Sequence, residues 1–257
     1  MKRKLALTIP VKTPNELALM RRCGAVLASV MRRIEGEIRP GVTTGDLDNL
    51  AESALREAGA TPAFKGYRGY PASICASVND EVVHGIPGPR KLHEGDLVGI
   101  DIGAFLEGYC TDMAETFYLG EPPGEVARFM ETSRRALAKG IDRMRVGNRL
   151  GDISNAVQTE AEAGGYGVVR ALVGHGIGRQ MHEEPQVPNY GQPGSGPVIV
   201  EGMVFAIEPM INMGVFSVRT LADGWTVVTS DGKLSAHYEH TVAATAAGPE
   251  ILTRKPE

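Results

Sequence analysis

The feature that most narrows the fold of this chain is a similarity between its two halves. Arg39-Pro-Gly-Val-Thr-Thr-Gly-Asp-Leu47 matches Arg145-Val-Gly-Asn-Arg-Leu-Gly-Asp-Ile153 at an offset of 106, with four of nine positions identical. Glu94-Gly-Asp-Leu-Val-Gly-Ile-Asp101 matches Glu201-Gly-Met-Val-Phe-Ala-Ile-Glu208 at an offset of 107. One such match of Gly-Asp or Glu-Gly turns arises readily by chance, but two at nearly one offset signal a repeated structural unit. His84-Gly-Ile86 also echoes His175-Gly-Ile177, at the shorter offset of 91. An acid ends the second matched segment in both copies, so Asp101 and Glu208 are predicted to hold related positions. The implied architecture is α+β with pseudo-twofold symmetry, each half giving two helices to one side of a shared, mostly antiparallel sheet.

Periodicity fills in the elements. Thr13-Pro-Asn-Glu16 reads as a capping box with proline at the first helical position. Apolar Leu17, Met20, Leu27, Met31 and Ile34 then recur near the helical period until Pro40-Gly41. Similar stripes predict helices between Thr44 and Gly59, from Val126 to Met144, and over 152–163. Strand-like stretches fall at 73–78, 97–105, 109–119, 168–173, 204–211, 225–229 and 237–244.

Composition closes off other classes. With 27 basic and 31 acidic residues the formal charge is −4, which argues against tight non-specific nucleic-acid binding resting on an overall basic surface, and no specific nucleic-acid site is expected. Three cysteines, Cys23, Cys75 and Cys110, do not make a disulfide framework in a chain of 257 residues, and point to a reducing compartment, the cytosol. The longest uncharged run, 185–200, carries four prolines and cannot span a bilayer. Residues 1–12 read as a solvated N-terminal tail, and 13–257 as one domain with half-repeats at about 13–120 and 121–250.

The chemistry gathers in the segment Leu97 to Phe117, two alternating strands around a turn near Leu106-Glu107. If Asp101 and Asp112 face each other, their mean position, 106.5, is where an even-length hairpin loop would be centred. Directly opposed acids repel unless a cation lies between them. Such a pair otherwise sits on a solvated face or against Lys or Arg, but flanking Val98, Ile100, Ile102 and Phe117 argue for burial and hence for compensation. The second half adds Glu208, and Glu239 within Ser235-Ala-His-Tyr-Glu-His-Thr241. Small residues around His175, in Val173-Gly-His-Gly-Ile-Gly178, leave room for a ligand or metal to approach the imidazole. Four carboxylates and one imidazole would suit two divalent ions that make a water acidic enough to attack a carbonyl, a hydrolase site. His93 reads as a surface loop residue, and His237 and His240, flanking Glu239, could be merely structural.

Ser77-Val-Asn-Asp-Glu-Val-Val-His-Gly-Ile-Pro87, Gly99-Ile-Asp-Ile-Gly103, Thr111-Asp112, Gly174-His-Gly-Ile-Gly-Arg-Gln-Met-His-Glu-Glu-Pro185, Phe205-Ala-Ile-Glu-Pro209 and Tyr238-Glu-His-Thr241 together resemble the methionine aminopeptidases of the bacterial type I class. That resemblance implies the pita-bread (creatinase/aminopeptidase) fold, a mostly antiparallel sheet flanked by helices in two related halves. It implies removal of the initiator methionine from new polypeptides when the second residue is small. By the same resemblance Asp101, Asp112, His175, Glu208 and Glu239 are the metal ligands, with Asp112 and Glu239 shared between two divalent ions. The resemblance leaves cobalt, manganese, iron or zinc open. Glu208 becomes the proton acceptor, His182 a hydrogen-bond donor to the scissile carbonyl oxygen, and His84 the holder of the scissile amide nitrogen. Tyr67, Tyr70, Cys75, Met181 and Trp225 map onto the methionine pocket, with Met181 at a position where the family commonly has phenylalanine. Nascent polypeptide N-termini are the implied partners, with transient ribosome association, a cytoplasmic monomer and no membrane contact. Rival readings are a prolidase relative, which usually carries a further N-terminal domain, and a metal-free binding protein on the same scaffold, which would have lost ligands.

Overall fold

The structure is a computed structural model that describes residues 8–255. Of the segment read as a tail, residues 1–7 lie outside the described residues. Four helices form where the apolar stripes predict them: α1 (Pro14–Glu37), α2 (Thr44–Glu57), α3 (Gly124–Arg143) and α4 (Leu150–Ala163). The Thr13 hydroxyl accepts the Glu16 N–H at 3.3 Å while the Glu16 carboxylate accepts the Thr13 N–H at 2.8 Å, the reciprocal cap read from the sequence.

Nine strands build one sheet: β1 (Thr61–Pro62), β2 (Ile74–Val78), β3 (Leu97–Leu106), β4 (Tyr109–Tyr118), β5 (Gly174–Gly176), β6 (Glu183–Val187), β7 (Val204–Ile207), β8 (Glu239–Thr245) and β9 (Gly248–Ile251). Their order is β1-β3-β4-β8-β7-β5-β6, with β2 also on β3 and β9 on β8, and these pairings are antiparallel. Two three-stranded sheets flank it. One sets Met210–Asn212 between Gly167–Val168 and Ser235–His237, the other sets Val227–Thr229 between Glu81–Val83 and Val218–Thr220.

The repeat is visible at the level of single hydrogen bonds. Gly41 N–H donates to the Leu92 carbonyl and Gly147 N–H to that of Ile199; Thr44 donates to Arg90 and Leu150 to Pro197. Asp46 accepts the N–H of Thr43 at 3.0 Å, and Asp152 that of Arg149 at 2.7 Å, so both second helices start on an aspartate at the third position. Alternation along the strands sends one set of side chains to each face of the sheet. Ile100, Ile102 and Met113 join Leu27, Met31 and Leu55 in one core cluster, and Phe205, Ile207 and Val242 join Phe129, Ile153 and Val157 in the other. The helices therefore cover one face, and the residues of opposite parity, among them Asp101, Asp112 and Glu208, are left to the other.

Five expectations need correction. The hairpin turn is Glu107-Gly108, both at positive φ (50° and 80°), so Asp101 pairs with Ala114 and Asp112 with Gly103 rather than with each other. A two-residue turn with both central residues left-handed matches the strand twist, and glycine at its second position supplies that conformation without strain. The run 168–173 leaves the ladder after Val168. The runs 204–211 and 237–244 each break once, at Glu208-Pro209, where the chain leaves the nine-stranded sheet for its neighbour, and at Tyr238, where it returns to the nine-stranded sheet. Proline lacks the ladder N–H, so the first break has a covalent cause. Finally, 225–229 shortens to Val227–Thr229 because the Asp223 carboxylate accepts the Trp225 and Thr226 N–H groups, each at 2.9 Å.

Candidate metal centre

The corrected register makes a lattice of acids. Ala114 on β4 pairs with Asp101 on β3 and, across the other edge, with Glu239 on β8. Continuing the β7–β8 register past the Ile207–His240 pair brings Glu208 beside Glu239. These residues form one row across the sheet. Two positions along the same face lies a second row, with Asp112 on β4 and, beyond Thr241 and Ala206, His175 on β5. The Thr241 hydroxyl accepts the Asp112 N–H and donates to its carbonyl, both at 2.8 Å, so a side chain replaces the backbone rung between the strands that carry Asp112 and Glu239.

Among the described residues these acids are incompletely satisfied. Asp101 Oδ1, Asp112 Oδ1 and Glu239 Oε1 are buried without a hydrogen-bond partner. Among the described residues, the ion-pair contacts of Glu208 and Glu239 are to imidazoles only. Burial, then the charge of Asp112, pushes the carboxyls of Asp101, Glu208 and Glu239 well above their ordinary range. Burial likewise raises Asp112, to about 7. Burying charges without compensation is costly, so a cluster like this calls for protons or cations.

His175 points to cations. Its Nδ1 lies 2.9 Å from the Gly176 carbonyl, which can only accept, so the ring carries its proton there and presents a bare Nε2. That Nε2 sits 3.5 Å from Glu208 Oε1, a meeting of two electron-pair donors. Burial depresses its basicity, to a pKa of about 3, so near neutral pH the imidazole brings no proton of its own. Donor atoms of Asp112, His175 and Glu239 lie within 4.8 Å of one another. Oxygen and nitrogen donors at this spacing fit a divalent cation. The glycines beside His175 serve another purpose than access: a Cβ on Gly174 would meet the Ala206 carbonyl oxygen at 2.4 Å, and one on Gly176 that of Glu184 at 2.2 Å. They let neighbouring backbone close in on the strand.

The acids floor a cavity of about 270 Å³ whose lining includes all twelve residues singled out from the sequence. Its walls are apolar. Tyr70 packs edge-on against Trp225 with centroids 5.1 Å apart, and its hydroxyl lies 3.0 Å from the Ile74 and Gly85 carbonyls. Cys75 and Met181 are buried in the same cluster. His84 stands at φ 61°, a left-handed conformation that side-chain-bearing residues avoid and that fixes where its imidazole enters the cavity. His182, at the rim, stacks on Tyr67 and has Nδ1 2.9 Å from the Tyr67 hydroxyl. Phe64, Arg68, Val83, Leu172, Val173 and Met210 complete the lining without having been picked out by sequence. Arg68 reaches the mouth as a fixed cation, and after loss of hydration it is the main cause lowering the basicity of His182.

Residues 18–246 match metallopeptidase family M24. The chain belongs to that family. It is 52% identical over 246 residues to a methionine aminopeptidase of Clostridium acetobutylicum, covering 95% of this chain and 98% of the relative. A solved methionine aminopeptidase of Rickettsia prowazekii has a TM-score of 0.94 at 40% identity, covering 96% of this chain and all of that one. A prolidase from Pyrococcus furiosus shares the fold, at a TM-score of 0.76 and 22% identity, and this chain spans 66% of its length. The α+β pita-bread expectation is borne out, as is the resemblance read from the motifs. Divalent metal use goes with an M24 metallopeptidase, and no described helix is long and apolar enough to cross a membrane.

One M24 cavity element rests on a residue that sequence reading left in the tail. Lys12 is 7% exposed, its ammonium pairs with the buried carboxylate of Glu183, and its N–H donates to the Gly202 carbonyl at 2.8 Å. Glu183 in turn accepts the N–H groups of Arg179 and Gln180, at 2.7 and 3.2 Å, and so ties down the turn that carries Met181 and His182. No sequence signal marks a single lysine between Val11 and Thr13 for this role. Lys12→Met is expected to cost about 3–5 kcal/mol by stranding a buried carboxylate, or on the order of 10 °C in calorimetric melting. Lys12→Met with Glu183→Gln should recover much of that loss. A double variant no better than the single would show that the pair is not what Lys12 contributes.

Proposed function

We propose that the protein removes the N-terminal methionine from nascent polypeptides whose second residue is small. The observation that carries this reading is the set of four buried carboxyls, three of them with an oxygen left without a partner, gathered beside the bare Nε2 of His175 on the floor of the cavity. Asp101, Asp112, His175, Glu208 and Glu239 would hold two divalent ions, with Asp112 and Glu239 shared, and residues 13–257 act as one catalytic unit. When bound, the ions supply Lewis acidity that makes a water nucleophilic near neutral pH. Glu208 would be the residue that accepts a proton from the attacking water. In the tautomer in which the Tyr67 hydroxyl donates to Nδ1, 2.9 Å away, His182 would carry its proton on Nε2 and offer it as a hydrogen bond to the carbonyl oxygen as negative charge develops. Burial holds the pKa of His84 below its ordinary value, and His84 would hydrogen-bond the scissile amide nitrogen and assist its protonation by passing on the proton that the attacking water loses to Glu208. Tyr67, Tyr70, Cys75, Met181 and Trp225 enclose the methionine side chain, where sulfur and aromatic edges attract. The protein would act as a cytoplasmic monomer that meets its substrates at the ribosome.

Methionine release from Met-Ala-Ser, its absence from peptides beginning Met-Lys, and its loss on chelation followed by recovery with manganese or cobalt are the expected results. Cleavage of an Xaa-Pro bond with Met-Ala-Ser left intact would transfer the assignment to the prolidases. No turnover with any divalent metal would make the chain a binding protein.

A further inference from the structure

His237 belongs to no part of the machinery above, yet its ring stands against it. It lies on the strand Ser235–His237, pairs with Met210 just beyond Glu208-Pro209, and is 4% exposed. Its Nε2 is buried without a partner, 3.8 Å from Glu208 Oε2 and 4.0 Å from Glu239 Oε2. Its backbone is pinned on both sides by one residue of β4: the Thr116 hydroxyl donates to the His237 carbonyl at 2.7 Å and receives the His237 N–H at 3.0 Å. The direction of the ring is therefore built into the fold. Glu208 consequently sits between two imidazoles, with His175 on Oε1 and His237 on Oε2.

The two contacts differ in kind. The proton of His175 is committed to the Gly176 carbonyl, so its Nε2 faces Oε1 as a lone pair, and the two would share a cation. The outer oxygen needs a donor instead. Carboxylates that ligate metals are themselves held by hydrogen bonds, and losing such a support typically weakens metal binding about 10- to 100-fold.

We propose that His237 is a positioning residue: its Nε2–H holds the outer oxygen of Glu208, so that the other oxygen is presented to the ion shared with His175. The proposal rests on the reading of Glu208 and His175 as metal ligands. His237→Leu removes the donor, His237→Asn keeps polarity but cannot reach, and His237→Gln keeps an N–H at similar reach. Manganese binding to the full-length apoprotein, followed calorimetrically, should weaken about 10- to 100-fold in the Leu and Asn variants and stay within about threefold of wild type in the Gln variant. The visible spectrum of the cobalt-loaded Gln variant should match wild type, since no ligand is lost.

Wild-type affinity in either the Leu or the Asn variant, whichever folds, overturns the proposal. So does a Gln variant as weak as those two, and a changed cobalt spectrum in the Gln variant would mark His237 as a ligand itself. Glu208→Gln separates this failure from failure of the underlying reading: if that variant also binds manganese like wild type, Glu208 is no ligand at all.

Discussion

Asp112→Asn is expected to lower methionine release from Met-Ala-Ser by about a thousandfold or more, and to leave the purified protein with less bound metal. Asparagine has nearly the same shape, and the Thr241 hydroxyl contacts the Asp112 backbone rather than its carboxyl, so strand pairing should survive. What disappears is one negative charge at the centre of the lattice. Several kcal/mol of transition-state stabilisation would rest on the ions proposed to be held by that charge, and each 1.36 kcal/mol is about tenfold in rate. The same substitution has an opposite effect on the metal-free fold. Asp112 is the charge that, after burial, most raises the carboxyls of Asp101, Glu208 and Glu239. Neutralising it relieves repulsion, so the stripped variant should melt above stripped wild type while the enzyme is disabled. Kinetics, metal analysis and calorimetry on one preparation check all three. Unchanged turnover and metal content would remove Asp112 from the centre.

The residues of the site were more legible in the sequence than the geometry that joins them. Motif segments carried eight of the twelve lining residues named from the sequence, each keeping its chemistry in a short local pattern, while Tyr67, Tyr70, Cys75 and Trp225 lie outside those segments and came only from the family's methionine pocket; the repeat carried the relation between Asp101 and Glu208. The register of the hairpin was misread because facing acids were used to centre the turn. Glu107-Gly108 held the better signal, since glycine marks the second residue of a tight two-residue turn. The consequence is specific: the acids meet diagonally, and Asp101 shares a row with Glu239 through Ala114. His237 and Lys12 were opaque for another reason. Each acts on a residue far away in the chain, through burial that periodicity cannot assign, and only a fold can bring Lys12 to Glu183 or the ring of His237 to Glu208.

Removing the divalent ions should destabilise the protein, and increasingly so as the pH is raised from about 6.5 to about 8.5. Asp112 is pushed up to about 7, and Asp101, Glu208 and Glu239 are also held well above their ordinary values. A carboxyl whose folded pKa is raised stabilises the fold fully below its unfolded value, and that contribution is lost as the pH climbs through the folded value. The native cluster then retains protons that the unfolded chain has released, and stability falls by about 1.4 kcal/mol per pH unit for each proton so retained. Buried histidines act in the opposite sense at lower pH. His175 and His237 are depressed to about 3 and His240 to about 4, so their contribution is complete above the ordinary histidine value of 6.5 and is lost below it. Above that value the histidines are neutral in both states, and the acids act alone. Bound ions replace the protons and remove the penalty, adding about 4 kcal/mol per site at a thousandfold excess over the dissociation constant. For a chain of this length that is on the order of 10 °C in melting temperature per site, and the gap between loaded and stripped protein should widen by several degrees across the window. Calorimetric melts with chelator and with manganese at the two ends decide it. A stripped protein that melts higher at the upper pH, or a gap that stays constant, would mean that the four acids are not jointly buried without a cation.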